Sequence, residues 1–258
     1  MNDQLTVHSR TYRIGQIVPS SNTTMETEVP AMLRAREAVA PERFTCHSSR
    51  MRMKQVTREE LAAMDADSER CAAELTDARV DVIGYACLVA IMSMGVRYHC
   101  QSERRLHDVT AREGAATPVV TSAGALVHGL KTLGATKIAL VAPYVKPLTC
   151  LVADYIRHEG FNVVDTVSLE IPDNVEVGRR DPMALVDIYK QLDLDGVEVL
   201  VLSSCVQMPS LAAIPVVERA CGLPVVSAAI CTTYQMLQKL GLKAYVPNAG
   251  TLLSGTYA

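Results

Sequence analysis

The chain has 258 residues and 49% hydrophobic content, which is enough apolar sequence for one large globular domain or two smaller lobes. The net charge of −3 lacks the basic excess of nucleic-acid-binding proteins, and no apolar run approaches the roughly 20 residues of a spanning helix, so nucleic acid and membrane are excluded as partners. The N-terminus lacks the features of a signal peptide and the eight cysteines form no CxxC pair, so we expect reduced thiols, no metal site and a cytoplasmic location.

The first predicted elements are a strand, a polar loop and a helix. The strand covers residues 12–19, and Thr23 with Glu26 in the following segment fits a capping-box pattern that begins a helix. Pro30 is expected to interrupt or restart this helix. Because the first N–H groups of a helix attract anions, the loop is also a candidate anion-binding site.

A weaker strand over residues 44–47 precedes a second predicted helix, which begins at a capping box formed by Thr57 and Glu60. The apolar positions of this helix share one face: Leu61, Met64, Cys71, Ala72 and Leu75. The next strand, over residues 82–86, is apolar and ends at a lone thiol, Cys87. Later elements are predicted as helices over 96–112 and 122–133 and a strand over 117–121.

The second half of the chain repeats three landmarks of the first half in the same order. These landmarks are a strand closed by proline, a strand that ends in a thiol, here Cys205, and a short Pro-Val-Val strand. The repetition indicates an internal duplication. The predicted elements of this half are strands over 137–143, 197–204 and 223–227 and helices over 147–159 and 181–192.

Strands that alternate with helices and are continuously apolar are typical of parallel sheets with helices on both faces. The sequence therefore predicts an α/β fold. Ligands in such folds bind beyond the carboxyl ends of the strands, where Asn22, Cys87, Tyr144 and Cys205 are expected to lie. Each residue also has an ordinary interpretation: a small buried hydrophobic residue for a strand-end cysteine, a helix cap for Asn22, a surface aromatic for Tyr144 and a turn residue for Asn174.

Three motifs resemble the maleate cis-trans isomerases, a branch of the aspartate/glutamate racemase superfamily. They are Pro-Ser-Ser-Asn-Thr-Thr-Met-Glu at 19–26, Gly-Tyr-Ala-Cys-Leu-Val-Ala at 84–90 and Ser-Ser-Cys-Val-Gln at 203–207. The resemblance implies two pseudo-symmetric lobes, each a four-stranded parallel sheet flanked by helices, with the active site between them. It also implies that the C-terminal segment returns to the first lobe. The first lobe is expected to contain residues 12–117 and 228–258, and the second lobe residues 118–227.

The resemblance also implies roles for individual residues. Cys87 is expected to be the nucleophile and Cys205 the second catalytic thiol, in a reaction that uses no cofactor. Because the motifs contain no lysine or arginine, the carboxylates of a small dicarboxylate substrate are expected to bind neutral donors. These donors are the side chains of Asn22, Tyr144 and Asn174 and the backbone N–H groups of Leu88, Val89 and Val206. We also expect a homo-oligomer.

A thiolate is suited to this reaction, because adding it to one alkene carbon turns the double bond into a single bond that rotates. Free cysteine has a pKa of about 8.5, so we expect the site to lower the pKa of Cys87 through the N-terminus of a following helix. The addition produces an enediolate-like species. Cys205 then either protonates the other carbon or only donates a hydrogen bond, and the sequence leaves both roles open.

Other functions remain open at this point. Amino-acid racemases of the superfamily carry Asn-Thr or Thr-His after their cysteines, whereas this chain carries Leu-Val and Val-Gln, and arylmalonate decarboxylases keep only one thiol. These differences favour the isomerase over a racemase or decarboxylase. A thiol sensor or small-acid-binding protein without turnover is the alternative from another class. The basic run over 50–54 is expected to be a solvated loop, and the polar stretch over 173–181 is a candidate lid.

Overall fold

The computed structural model describes residues 10–54 and 57–257, so the N-terminal segment that is predicted not to be a signal peptide lies outside the described residues. The described strands are β1 Thr11–Pro19, β2 Arg43–Met51, β3 Val82–Tyr85, β4 Val119–Thr121, β5 Lys137–Ala142, β6 Asn162–Ser168, β7 Val199–Ser203 and β8 Val225–Ser227. They form two parallel sheets with the orders β2-β1-β3-β4 and β6-β5-β7-β8. The two orders are equivalent, and the predicted α/β fold with two pseudo-symmetric lobes is confirmed.

Helices flank both sheets. They are α1 Met25–Glu37, α2 Arg58–Asp77, α3 Leu88–Ser93, α4 Tyr98–Arg112, α5 Ser122–Thr132, α6 Lys146–His158, α7 Asn174–Gly178, α8 Leu185–Ile188, α9 Ile214–Cys221 and α10 Ala228–Lys239. Strands β3 and β7 are buried at every residue, because they lie in the sheet interior with helices over both faces. No helix within residues 10–54 and 57–257 is both long and apolar enough to cross a membrane.

The start and the apolar face of α2 follow from its sequence. The Thr57 hydroxyl accepts a hydrogen bond from the backbone N–H of Glu60 at 3.3 Å, as the capping pattern predicts. The five predicted core positions of this helix are each at most 3% exposed: Leu61, Met64, Cys71, Ala72 and Leu75. Local pattern and tertiary packing therefore agree along this helix.

Two predicted helices differ from the structure. Pro30 is the sixth residue of α1, so its missing N–H removes the helical hydrogen bond to the Glu26 carbonyl. The helix still continues unbroken to Glu37, because buried Val29 and Leu33 hold it against the core. The continuous helix predicted over 181–192 is wrong. A single α-helical turn, α8, lies between 3₁₀ turns at Pro182–Ala184 and Tyr189–Gln191.

Strand β6 was not predicted. It lies at the edge of its sheet and is half-exposed over most of its length, so polar residues interrupt its apolar pattern. Strand β2 is the corresponding edge strand of the first sheet, and it is longer than the predicted 44–47. Edge position explains why both strands give weaker sequence signals than the interior strands.

The predicted lobe boundary after residue 117 is wrong for β4. This strand pairs in parallel with β3, with Val120 opposite Gly84, so the first sheet extends to Thr121. Helix α10 follows β8 of the second sheet but packs against α1, β3 and β4 of the first. The other predicted lobe boundaries remain predictions.

Candidate active site

A small cavity is lined by residues that follow the carboxyl ends of strands from both sheets. Each sheet contributes five of the lining residues: Pro19, Asn22, Met53, Cys87 and Val89 from the first, and Tyr144, Asn174, Cys205, Val206 and Gln207 from the second. The cavity volume is about 20 Å³. On this scale one water molecule needs about 10–15 Å³, so a larger ligand requires the walls to move apart.

The structure brings seven of the eight predicted site residues to this cavity. The exception is Leu88, whose side chain is fully buried in the core and does not line the wall. Its backbone N–H and that of Val89 are the first two of α3, where no carbonyl within the helix can accept them. These two N–H groups therefore remain available as donors at the start of α3.

Cys87 occupies the sharp turn between β3 and α3. Its φ of 90° and ψ of 72° place a non-glycine residue in the left-handed region. Such a conformation costs roughly 1–3 kcal/mol and persists only where the surroundings enforce it. The neighbours Ala86 and Leu88 are fully buried, and the Ala86 N–H donates to the Ile17 carbonyl at 2.9 Å. The core thus holds the thiol in this conformation.

The predicted lowering of the Cys87 pKa is wrong for this conformation. Burial raises the pKa of the thiol to about 12, and the backbone N–H of Ala90 opposes this only in part. Negative charge on Cys205 or Asp65 raises the pKa further. Desolvation prevails because it is the largest effect on the thiol, and a single backbone N–H, that of Ala90, opposes it.

A buried carboxylate lies behind β3 and contributes to this shift. Asp65 of α2 is 2% exposed and accepts hydrogen bonds from the Tyr85 hydroxyl at 3.2 Å and the Tyr98 hydroxyl at 2.6 Å. Arg105 of α4 donates to the same carboxylate at 2.8 Å. Tyr85 is only two residues before Cys87 on the chain, so this cluster anchors the strand that carries the thiol.

Cys205 follows β7 and is buried, whereas Cys87 is partly buried. Burial raises the pKa of the Cys205 thiol, while the Tyr144 hydroxyl and the backbone N–H groups of Gln207 and Met208 act in the opposite direction. Tyr144 is 6% exposed, so it is not the surface aromatic that the ordinary interpretation allows. Burial also raises the pKa of Tyr144 well above its usual value, which keeps its hydroxyl protonated as a donor.

Asn22 caps α1 and lines the cavity at the same time. Its Oδ1 accepts the backbone N–H groups of Thr24 at 3.0 Å and Met25 at 3.1 Å. Its Nδ2 donates to no group within residues 10–54 and 57–257, although the side chain is only 2% exposed. The side-chain oxygen of Asn22 therefore caps α1, and the side-chain nitrogen is available to a ligand in the cavity.

The capping box predicted for Thr23 and Glu26 is wrong. The Thr23 N–H donates to Oε1 of Gln207 at 2.8 Å, and the Glu26 carboxylate pairs with Arg50. Asn22, one position earlier, provides the cap instead. Because these N–H groups already have acceptors, the start of α1 is not the free anion-binding site that the sequence predicts.

The basic run over 50–54 is more ordered than predicted. The Arg50 guanidinium donates to the carbonyl groups of Ser20 and Asn22, both at 2.8 Å, and so supports the cavity loop from outside. Met53 is buried and lines the cavity, and sequence analysis missed it. Its signal is the alternation of methionine with basic residues, which is typical of an extended segment with one buried face.

Asn174 begins the short helix α7, whose cap is the Asp173 carboxylate. Its Nδ2 donates to the hydroxyl of Ser21 at 2.8 Å, which joins a second-sheet segment to the loop after β1. The candidate lid over 173–181 therefore contains an ordered helix in contact with the other half of the site. Gln207 also lines the cavity, although the sequence motif that contains it predicts no role for it.

None of the ten lining residues carries a charge. Within residues 10–54 and 57–257, no group of three or more His, Cys, Asp or Glu side chains is arranged to hold a metal ion. The cavity therefore offers two thiols, a phenol, amides and backbone N–H groups to a ligand. Such a set suits nucleophilic addition beside anionic groups that are held by neutral donors.

Comparison with known proteins gives the family. A family model described as arylmalonate decarboxylase matches residues 14–253. A maleate isomerase from Pseudomonas putida is 66% identical over 246 residues, which cover 95% of this chain and 98% of that protein. The chain belongs to the arylmalonate decarboxylase family and, within it, to the maleate isomerases. The predicted resemblance and the predicted enzyme class, an isomerase, are confirmed.

Two solved maleate isomerases share this fold. A cysteine-to-alanine variant from Pseudomonas putida, solved with maleate, has a TM-score of 0.95 and 62% identity, and the match covers 96% of this chain and 99% of that chain. A cysteine-to-serine variant from Nocardia farcinica contains a covalently bound succinylcysteine intermediate. Its TM-score is 0.91 at 46% identity, with 94% and 98% of the two chains covered.

Proposed function

We propose that the chain converts maleate to fumarate by reversible addition of the Cys87 thiol, without a metal or redox cofactor. The observation that carries the proposal is the pair Cys87 and Cys205, which line one cavity without charged walls. The succinylcysteine in the Nocardia farcinica relative supports a covalent route, because it is the product of adding a cysteine thiol to a four-carbon unsaturated diacid.

In the first step the Cys87 sulfur forms a bond to one alkene carbon. The π electrons move onto the other carbon and its carboxylate, which gives an enediolate and leaves a single bond between the two carbons. The thiol proton must pass to solvent before this bond is complete, because the thiolate is the nucleophile, and Cys87 leaves the product again as a thiolate. Since burial raises the pKa of Cys87 to about 12, loss of this proton is part of the kinetic barrier at neutral pH.

Neutral donors stabilise the charge that develops on the carboxylate. The Nδ2 group of Asn22 and the hydroxyl of Tyr144 belong to the cavity wall, and the N–H groups of Leu88 and Val89 begin α3. Donors that face a developing oxyanion are worth several kcal/mol each in a site that excludes water. A fixed cation would hold both carboxylates strongly, whereas one carboxylate has to swing during the rotation.

Cys205 acts on the second carbon in the proposed cycle. Its S–H protonates that carbon to give a succinyl thioether, and the resulting thiolate removes a proton again after rotation. The C–S bond then breaks, and its electrons pass to Cys87 as the double bond forms again. The succinylcysteine of the Nocardia farcinica relative supports a succinyl thioether as the intermediate, because a succinyl group has gained a proton at that carbon.

The direct test is a proton NMR time course of the purified chain with maleate, with aspartate and with phenylmalonate. Fumarate formation from maleate, with no comparable conversion of the other two, is expected. Loss of CO₂ from phenylmalonate without fumarate formation would favour the decarboxylase alternative. With the samples in D₂O, loss of the Cα proton signal of aspartate without fumarate formation would favour a racemase.

We propose a cytoplasmic location as well, because all eight cysteines are free thiols, as expected in a reducing compartment. Periplasmic or secreted protein found by fractionation of the source cells would contradict this. The homo-oligomer remains a prediction. Sedimentation velocity at several protein concentrations tests it, and a single species with the mass of one chain would exclude it.

A further inference from the structure

Gln207 lines the cavity two residues after Cys205 and is 2% exposed. Its Oε1 accepts the backbone N–H groups of Thr23 at 2.8 Å and Thr24 at 3.2 Å. The Thr24 hydroxyl donates in return to the backbone carbonyl of Gln207 at 2.7 Å. Thr23 and Thr24 follow β1 of the first sheet and Gln207 follows β7 of the second, so these bonds join the two halves of the molecule at the cavity.

The nitrogen of the same amide binds on the opposite side. Nε2 donates to the carbonyl of Ser21 at 3.1 Å and to the carbonyl of Asn174 at 2.7 Å. With two donors and two acceptor positions occupied, the amide of Gln207 has used its whole hydrogen-bonding capacity. A Cβ at Gly178 would lie 2.4 Å from Nε2, so only glycine allows α7 to approach this closely.

We infer that Gln207 is a positioning residue that fixes Asn22 and Asn174 relative to each other across the cavity. Asn22 lies between Ser21 and Thr23, and Gln207 binds the backbone of both. Asn174 is held through its own carbonyl, and its side chain donates to Ser21. The inference rests on the proposed function, in which Asn22 holds a substrate carboxylate, and on the prediction from sequence that Asn174 holds the other.

The chemistry of the contacts explains why an amide is needed at this position. Two N–H groups face one end of the side chain and two carbonyl oxygens face the other. A glutamate side chain has the same length as glutamine and can accept hydrogen bonds from the two N–H groups, but its carboxylate repels the two carbonyl oxygens. A methionine side chain has a similar length but forms hydrogen bonds with neither the N–H groups nor the carbonyls. A buried donor or acceptor left without a partner costs about 1–3 kcal/mol, and displacing a reacting group by about 1 Å costs about 10²-fold in rate.

A matched control is available at Glu28 of α1. Its Oε1 accepts the backbone N–H groups of Ser210 and Leu211, both at 2.6 Å, so it also joins the two halves. Glu28 does not line the cavity. Gln207→Met and Glu28→Ala therefore both remove hydrogen bonds between the two halves of the molecule. Only Gln207→Met is expected to displace Asn22 and Asn174.

Steady-state kinetics with maleate separate these two effects. We expect Gln207→Met to lower kcat/KM about 10²-fold and Glu28→Ala to change it by less than about threefold, both measured below the onset of thermal unfolding. In the double variant Asn22→Ala with Gln207→Met, the loss is expected to be smaller than the product of the two single losses. Equal losses in Gln207→Met and Glu28→Ala, or strictly multiplicative losses in the double variant, would overturn the inference.

Gln207→Glu provides a second variant of unchanged size. The introduced side chain still accepts from Thr23 and Thr24, but it donates toward Ser21 or Asn174 only when its carboxyl group is protonated. We therefore expect the ratio of variant to wild-type activity to rise as the pH is lowered. A ratio that stays constant with pH would show that the donor contacts do not matter.

Alkylation of Cys87 tests the inference without maleate turnover. Iodoacetate carries a carboxylate for Asn22 and Asn174 to hold, whereas iodoacetamide has none. The ratio of the iodoacetate rate to the iodoacetamide rate at Cys87 is expected to fall about tenfold in Gln207→Met and to stay unchanged in Glu28→Ala. If the wild type fails to isomerise maleate, the proposed function fails while this ratio still decides the role of Gln207. An unchanged ratio in Gln207→Met would contradict that role.

Discussion

Cys87 and Cys205 occupy equivalent positions in the two sheets and line the same cavity. Each follows the strand that is third in its sheet, in the orders β2-β1-β3-β4 and β6-β5-β7-β8. Their surroundings differ. Cys87 has a φ of 90°, and the negative charge of Asp65 raises the pKa of its thiol. Cys205 instead interacts with the hydroxyl of Tyr144. The internal duplication therefore explains why the two thiols lie at equivalent strand ends. Their different neighbours allow one thiol to act as nucleophile and the other as proton donor.

The reactivity of Cys87 is expected to rise with pH. Because burial raises the pKa of the thiol to about 12, only a small fraction is thiolate at neutral pH. The iodoacetamide rate at Cys87, followed by peptide mass spectrometry, should increase roughly tenfold per pH unit from about pH 7 to about pH 10. A plateau reached below about pH 8 would show that the ligand-free site lowers the pKa instead.

Replacing the buried carboxylate near Cys87 should increase thiol reactivity. Negative charge on Asp65 raises the pKa of Cys87, so Asp65→Asn is expected to speed alkylation at a fixed pH below that pKa. Asp67→Asn, on the same helix but with a 37% exposed side chain, is the control and should leave the rate unchanged. Slower alkylation in a folded Asp65→Asn variant would mean that the cluster acts through the position of β3 and not through charge.

The two functions assigned to Asn22 can be separated by mutation. Asn22→Asp keeps an oxygen that accepts from Thr24 and Met25, so the thermal stability should be retained, but it replaces the Nδ2 donor by a charge that repels a carboxylate. We expect this variant to lose about 10²–10³ in kcat with maleate. Asn22→Ala should lose the same rate and also about 0.5–2 kcal/mol of stability. Near-normal turnover in Asn22→Asp would reduce Asn22 to a helix cap.

Local patterns predicted the parts of the site that local sequence controls. Cys87 and Cys205 end continuously apolar strands, and Thr57 begins α2, so periodicity and capping were sufficient. Gln207 and Met53 were missed because their roles depend on contacts between segments distant in sequence, such as the bond between Gln207 and Thr23. The raised pKa of Cys87 was missed for a similar reason, since burial is a property of the whole fold.

Activity is expected to survive removal of metal ions. The proposed steps need only a thiolate, a proton donor and neutral hydrogen-bond donors, so exhaustive dialysis against a chelator should leave kcat for maleate unchanged. The same assay after gel filtration in nucleotide-free buffer should give the same value. Activity that is lost on dialysis and restored by one metal ion would overturn the cofactor-free proposal.

The role of Cys205 can be read from hydrogen exchange. If Cys205 protonates the second carbon in D₂O, the succinyl group trapped on Cys87 carries one deuteron on that carbon, and the earliest fumarate contains deuterium. The reaction is stopped with acid in H₂O, so an enediolate that survives until the quench acquires a proton and not a deuteron. Trapped adduct without deuterium would leave Cys205 as a hydrogen-bond donor only.

The most direct test of the proposed mechanism is intact and peptide mass spectrometry of the Cys205→Ala variant after incubation with maleate and an acid quench, which supplies the proton that the missing thiol would have given to the adduct. Because Cys87 is assigned the covalent bond, we expect an added mass of one maleic acid per chain that maps to Cys87, and no adduct in Cys87→Ala under the same conditions. Cys87→Ala should also abolish turnover. An adduct on Cys205 in Cys87→Ala, or wild-type turnover by Cys87→Ala, would contradict the assignment of Cys87 as the nucleophile.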